Sequence, residues 1–211
     1  MHPADPAEAE SYRIMRSRLD LSALPPLSRA VTERVIHATA DFDYVTDLVC
    51  DEAALASGLA GLRRGAPAVA DATAVAAALG GYQVICKAED SLAARLARTA
   101  NLSLSAAAVR LAFSAAGPGA VWLVGSAPDA LSEILAREVE PALVIGVPVG
   151  FVGAAEAKDA LRRSGLPALS NVSEKGGPAV AAAAFEALLR IAAAVPDDPH
   201  PPSRRLEDAD G

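Results

Sequence analysis

The sequence predicts an α/β fold: a three-layer αβα sandwich around a mainly parallel central sheet, with an N-terminal helical cap. Two observations predict it. From Pro67 onward, short apolar runs alternate with longer stretches of helical spacing, the pattern of a parallel sheet covered on both faces. Before Pro67 the spacing is helical only. The composition agrees, with 52% hydrophobic residues but only 4% aromatic ones, so the core must be aliphatic, with small residues letting helices pack closely.

Taken in order, the first helices are expected at Ala7–Arg18, Ser28–Ala38 and Asp51–Arg64, before any strand. In the third, Leu55, Leu59 and Leu62 recur at three- and four-residue steps and lay one stripe on the sheet. Gly65 closes it, as glycine does after a helix C-terminus. Strands are expected at Pro67–Ala70, Gln83–Lys87, Val121–Val124, Leu143–Ile145 and Leu166–Leu169, each followed by a helical segment. The last helix, Pro178–Ala194, opens with Gly176-Gly177-Pro178, where proline suits the first turn. Its apolar run is broken by Glu186 and Arg190 and reads as a core helix, not a membrane span. At 211 residues the chain suits one domain, placed at residues 1–195, followed by a polar, proline-rich tail at 196–211 with no catalytic role.

A net charge of -7 argues against a nucleic-acid footprint, which needs clustered Lys and Arg. The N-terminus lacks the basic and apolar regions of a secretory signal, and a cytoplasmic location is expected. Cys50 and Cys86 have neither metal-site nor disulfide spacing and read as core residues.

Three segments carry candidate chemistry. Val124-Gly125-Ser126-Ala127-Pro128 reads as strand, tight turn and helix start, with exposed amides able to hold a carboxylate or phosphate; Ser126 and Asp129 are alternatively plain helix caps. It is neither a dinucleotide fingerprint nor a P-loop. Ile145 to Glu156 follows a strand with three glycines and a proline, implying a constrained loop at the strand's carboxyl end, where open α/β sheets bind ligands. Beyond that loop, Glu156 is placed to orient it and Lys158 to form a solvated ion pair. Of three histidines, His2 and His200 fall near the ends, whereas His37 closes a helix. A lone histidine there is by itself more often structural, yet it is the side chain in the folded region suited to acid–base work near neutrality.

Glu10-Ser11-Tyr12-Arg13-Ile14-Met15, Arg34-Val35-Ile36-His37-Ala38-Thr39, Gly65-Ala66-Pro67 with Asp71, Gly125-x-Ala127-Pro128-x-Ala130-Leu131, and Gly146-x-Pro148-Val149-Gly150-Phe151-Val152-Gly153-Ala154-Ala155-Glu156-x-Lys158 occur in that order. This ordered set resembles the precorrin-8X methylmutase family (precorrin isomerase, cobalt-precorrin-8 methylmutase) over residues 7–192. The resemblance implies an αβα sandwich, a homodimer with sites near the subunit interface, and no metal or organic cofactor. It implies migration of a methyl group from carbon eleven to carbon twelve of a tetrapyrrole, precorrin-8X or cobalt-precorrin-8, in cobalamin biosynthesis. Here His37 matches the histidine assigned to protonating the macrocycle, and Ser11 a serine beside the substrate. By the same resemblance, Ser103, Leu104, Ser105, Gly125, Ser126, Ala127, Gly150, Phe151, Lys175 and Gly176 are expected to line the substrate. No nucleic acid and no membrane is expected as partner.

The chain departs from the family pattern in places. Leu102-Ser103-Leu104-Ser105 stands where the family reads N-T-R-S, so Leu104 replaces an arginine suited to gripping a carboxylate. Ser126 and Asp129 replace asparagine and threonine, Glu174 replaces a basic residue, and Glu186 replaces a common asparagine. Lys175 and Arg13 are the cations the motifs offer in compensation. An alternative reading is therefore a diverged paralogue that binds a tetrapyrrole or a partner enzyme without isomerase activity.

Overall fold

The computed structural model describes residues 6–137 and 139–194. The proposed tail at 196–211, His2 and His200 lie outside the described residues. The elements run α1 (Pro6–Arg18), α2 (Pro26–Thr39), α3 (Tyr44–Asp47), β1 (Leu48–Cys50), α4 (Glu52–Arg63), β2 (Ala68–Ala70), α5 (Thr73–Ala78) and β3 (Ile85–Cys86). They continue with α6 (Ser91–Ala100), α7 (Leu104–Ala116), β4 (Val121–Val124), α8 (Pro128–Leu135), β5 (Leu143–Gly146), α9 (Ala154–Arg163), β6 (Ala168–Asn171) and α10 (Pro178–Ala194).

The strands form one six-stranded sheet in the order β1-β6-β5-β4-β2-β3, parallel except for the edge pair β1–β6. Strand alternation divides the core into two layers. Val121, Leu123, Leu143, Ile145 and Leu169 face one cluster with α2, α4, α5 and α10. Trp122, Val124 and Val144 face the other, with α7, α8 and α9. Alanine explains how close these layers lie: Ala181, Ala182, Ala183 and Ala184 of α10 are all buried, and so are Ala106, Ala107 and Ala108 of α7. Gly58 of α4 brings its backbone so near β5 that a Cβ there would stand 2.9 Å from Leu143 Cβ. Gly146 ends β5 in similar confinement, where a methyl group would fall on Leu161 Cδ2 and lie 2.8 Å from Leu131 Cδ2. Gly146→Ala is expected to destabilise the fold by about 2 kcal/mol through overpacking, read as a lower urea midpoint with an unchanged slope.

The expected sandwich is present, with three local corrections. β1 precedes α4, so a strand appears earlier than expected; three residues between Asp47 and Asp51 carry no periodicity to announce it. β6 lies two residues later than predicted, at Ala168–Asn171, because Leu166 and Pro167 form the approach to the strand. β3 shrinks to Ile85–Cys86 at the sheet edge. α4 follows its prediction closely, with Asp51 as N-cap accepting from Ala53 and Ala54 N–H and Gly65 at φ 80° beyond its end. α10 runs as predicted, and no described helix is long and apolar enough to cross a membrane.

Cys50 and Cys86 are free and half-buried against the first core layer, and burial pushes the Cys50 thiol up to about 12. Away from the strand ends, Glu133 of α8 is buried between Arg110 Nε (2.6 Å) and Arg137 Nε (2.7 Å). The Arg110 hydrogen bond holds its carboxyl below the ordinary value of 4.5, so its stabilising contribution is present above that value and lost as the pH falls below it. Both arginines are partly solvated, and Glu133→Ala is expected to cost about 1–2 kcal/mol in thermal or chemical denaturation without altering activity.

Candidate active site

The carboxyl ends of β2, β4, β5 and β6 gather on one edge of the sheet, and the loops that leave them are tied to one another. The turn after β4 is set by a residue 54 positions earlier. Asp71, fully buried at the end of β2, accepts hydrogen bonds from Gly125 N (3.2 Å), Ser126 N (3.0 Å) and Ala127 N (3.3 Å). Burial pushes its carboxyl above the usual range and outweighs those three donors. The amides that the sequence presents as an anion site thus hold the chain's own carboxylate.

The alternative capping role for Ser126 and Asp129 is also revised. The α8 N-cap is Ala127, with no side-chain cap bond. Asp129 instead reaches across to α7, accepting from Ser103 Oγ (2.8 Å) and Ser103 N (3.2 Å), while Ser103 Oγ caps α7 through Ala106 N (3.0 Å). This bond ties the start of α7, where Ser103, Leu104 and Ser105 stand, to the first turn of α8. Leu104 is exposed there and Ser105 is buried.

The loops after β5 and β6 are laced together. Gly177 N donates to Val147 O (2.8 Å) and Gly150 N to Glu174 O (3.0 Å). Gly176, at φ 145°, lies so close that any Cβ would fall on Val147 O, and a Cβ on Gly125 would stand 3.0 Å from Gly177 O. Only glycine allows three loops to converge in this way. Beyond the lacing, Phe151 is 95% and Val152 89% exposed.

Lys158 overturns the expectation of a solvated ion pair. It is fully buried, and its Nζ donates to Asn171 Oδ1 (3.0 Å), Lys175 O (2.7 Å) and Ser173 O. Desolvation lowers it to about 8, partly opposed by the nearby Asp47 carboxylate. Lys175 is likewise committed: its Nζ bridges Asp41 Oδ2 (2.8 Å) and Asp43 Oδ2 (2.6 Å), and those hydrogen bonds raise it. Arg13 pairs with Glu10 on α1 (2.6 Å). Neither compensating cation is therefore without a carboxylate of its own.

His37 occupies the last turn of α2, half-buried. The Tyr12 ring stacks on it at 4.7 Å and 10°, and Arg34 Nη1 lies 3.4 Å from its Nδ1. Arginine can only donate, so this contact is a hydrogen bond when Nδ1 carries no proton. Arg34 is itself held by Glu8 Oε1 (3.0 Å) and by Glu186 Oε2 through its Nε (3.1 Å), and Arg190 reaches Glu8 at 2.8 Å. His37, Arg34, Arg190, Glu8 and Ala7 line an open hollow of about 390 Å³. Ser11 sits half-buried beside Tyr12 on α1.

The expected residues thus fall into two groups. Ser103, Leu104, Ser105, Gly125, Ser126, Ala127, Gly150, Phe151, Lys175 and Gly176 belong to the sheet edge. Ser11 and His37 belong to the α1–α2 face, and the two groups are joined where Asp41, four residues after His37, takes Lys175. Sequence reasoning gave no role to Tyr12, Arg34 or Asp71, and only a solvated ion pair to Lys158. All four stand inside the quoted motifs, which was the available signal; nothing in the local sequence announces that Lys158 is buried.

Fold and loops together define an α/β enzyme whose glycine-built loops converge at the carboxyl edge of a mostly parallel sheet, with His37 on the α1–α2 face. Residues 6–191 match the family described as precorrin-8X methylmutase. The chain is 37% identical over 194 residues to the cobalt-precorrin-8 methylmutase of Salmonella typhimurium, covering 86% of this chain and 92% of that one. It is 35% identical over 192 residues to a precorrin-8X methylmutase of Sinorhizobium, covering 85% and 91%. A crystal structure of the precorrin-8X methylmutase from Thermus thermophilus superposes with a TM-score of 0.79 at 33% identity, over 89% of this chain and 96% of that one. The chain belongs to the precorrin-8X methylmutase family.

Proposed function

We propose that this chain is an isomerase of cobalamin biosynthesis, moving a methyl group from carbon eleven to carbon twelve of precorrin-8X to give hydrogenobyrinic acid, or acting on the cobalt form. The observation that carries this reading is His37, placed by Tyr12 and Arg34 at the mouth of a hollow in a chain of this family. A sigmatropic shift needs no nucleophile; it needs a shaped apolar cavity and a well-placed proton donor. The protonated imidazole of His37 is that donor: it gives one proton to the macrocycle, is left as the neutral ring, and takes a proton back once the methyl group has migrated. Ser11 precedes Tyr12 on α1, and Leu104, Phe151 and the glycine loops offer the tetrapyrrole an apolar, closely approachable surface.

The enzyme acts as a homodimer in the cytoplasm under this reading. Support for the dimer is the exposure of Phe151 and Val152 at the sheet edge, which a second copy beside the substrate would cover. Conversion of precorrin-8X by the purified protein, seen as replacement of its visible spectrum by that of hydrogenobyrinic acid, tests the proposal; absence of turnover overturns it.

A second reading, tetrapyrrole binding without isomerisation, rests on Leu104, exposed where the family has an arginine, and on Lys175 and Arg13 being paired already. Tight binding of hydrogenobyrinic acid by a protein that leaves precorrin-8X unchanged is the result that would favour it.

A further inference from the structure

Three carbonyl or amide oxygens meet inside the protein beneath the loops after β5 and β6, and the group that satisfies them is a lysine. Lys158 enters from the second turn of α9 and its three N–H bonds go to Asn171 Oδ1, Ser173 O and Lys175 O. Asn171 turns its own Nδ2 to Lys175 O (2.8 Å) and Asp47 Oδ2 (2.8 Å). Asp47 in turn accepts from Ser173 N (2.7 Å), Ser173 Oγ (2.9 Å) and Val172 N (3.1 Å). The segment 172–175 is thus held from within by an ammonium, an amide and a carboxylate. The next two residues, Gly176 and Gly177, are those that press on Val147 and bond it, and Glu174 O receives Gly150 N.

We propose that Lys158 is a positioning residue for the methyl shift, its buried ammonium fixing the 172–177 loop and, through that loop, the Val147–Gly153 loop against which the tetrapyrrole lies. This rests on the function proposed above. Lys158 touches no substrate: all three donors are occupied and the side chain is sealed from solvent.

The charge is essential to the device. A neutral amine offers two N–H bonds and a lone pair to three acceptors, so deprotonation must release one carbonyl and repel it. The charged groups around the ammonium are Asp47 on α3, Arg162 on α9 and Glu174 in the loop, while the Lys175 ammonium is turned outward to Asp41 and Asp43. With Lys158 lowered to about 8 from 10.5, the unfolded chain keeps its proton between those values while the folded one loses it. Its contribution to global stability therefore rises with pH across that window, while loop order falls. Loss of activity above about pH 8 without loss of stability is a signature that alkaline unfolding does not produce.

The test is the pH profile of kcat/KM for precorrin-8X with wild-type protein, Lys158→Met and Asp47→Asn, alongside the amide NMR shifts of Gly150 and Gly177 without substrate. Wild-type protein is expected to show an alkaline fall in kcat/KM. Folded Lys158→Met is expected to lose about 10²-fold at pH 7 and to show no such fall. Asp47→Asn, which removes the charge that favours the ammonium, is expected to move the inflection to lower pH, and this decides the matter should Lys158→Met not fold. Retention of kcat/KM within about twofold in folded Lys158→Met, or an unmoved inflection in Asp47→Asn, overturns the proposal. Should wild-type protein not turn over, the proposed function fails by itself; titration of the Gly150 and Gly177 amides near pH 8 would still support the clamp, and flat shifts would overturn it.

Discussion

Replacing His37 with alanine is expected to lower kcat for the methyl shift by about 10²–10⁴-fold, the range that loss of a general acid produces. kcat and kcat/KM should fall together, because the proton is delivered in the transition state and not on binding. The imidazole is half-buried and its packing is the Tyr12 stack, so the fold should lose only about 1 kcal/mol. Circular dichroism and a thermal midpoint close to that of the wild type separate the chemical effect from a structural one. His37→Gln retains a donor without an acid–base centre and should recover little. The geometry also assigns Arg34 a supporting part. Its Nη1 lies against Nδ1, and Glu8 and Glu186 hold it there, which gives Glu186 a purpose where asparagine is common in the family.

The largest effect on stability is expected at Asp71. Asp71→Ala leaves the N–H groups of Gly125, Ser126 and Ala127 without their acceptor, in a turn closed over by Gly177 and Pro178. Each buried donor left unpaired costs about 1–3 kcal/mol, and some relaxation towards water is available at the turn, so a total of about 3–5 kcal/mol is expected from urea denaturation. A loss under about 1 kcal/mol would show that the turn stands without it. The titration of Asp71 has the opposite sign to that of Glu133. Burial raises the Asp71 carboxyl above 3.8, so just above that pH the folded chain holds a proton that the unfolded one has lost. Its contribution to stability therefore declines as the pH climbs through that window, whereas that of Glu133 grows through the window below 4.5.

What the sequence made legible was periodic or local. The α4 stripe, the α10 run and the glycine-rich passage after β5 each announce themselves within a dozen residues, and His37 stands out because imidazole is scarce. What it hid depends on partners far along the chain. β1 exists because Leu48–Cys50 find Leu169–Asn171 more than a hundred residues later. The turn at Gly125 looks like an empty anion cradle until Asp71 is brought to it across the β2–β4 pair. Lys158, three turns from any sheet residue in sequence, reads as a surface lysine because charged side chains are normally solvated. Its acceptors appear only when β6 and the loop beyond it close over α9. Lys175 shows the converse, a cation in a binding motif whose charge is already taken up by Asp41 and Asp43.

These pairings bear on the altered rim. The arginine that the family has at Leu104 is not replaced by Lys175 or Arg13, each already paired with carboxylates, so under the proposed function shape and apolar contact carry more of the binding at this edge. An apolar macrocycle face against Phe151, Val152 and Leu104 is consistent with that balance.

Under the proposed function this chain itself moves the methyl group within one molecule. Precorrin-8X carrying ¹³C both in the carbon-eleven methyl and at ring carbon twelve, incubated with the purified protein alone, tests it most directly by ¹³C NMR of the product. The methyl label is expected on carbon twelve, directly bonded to the labelled ring carbon, with the ¹³C–¹³C coupling undiluted when unlabelled substrate is mixed in. A label that stays on carbon eleven in substrate bound by folded protein would contradict it.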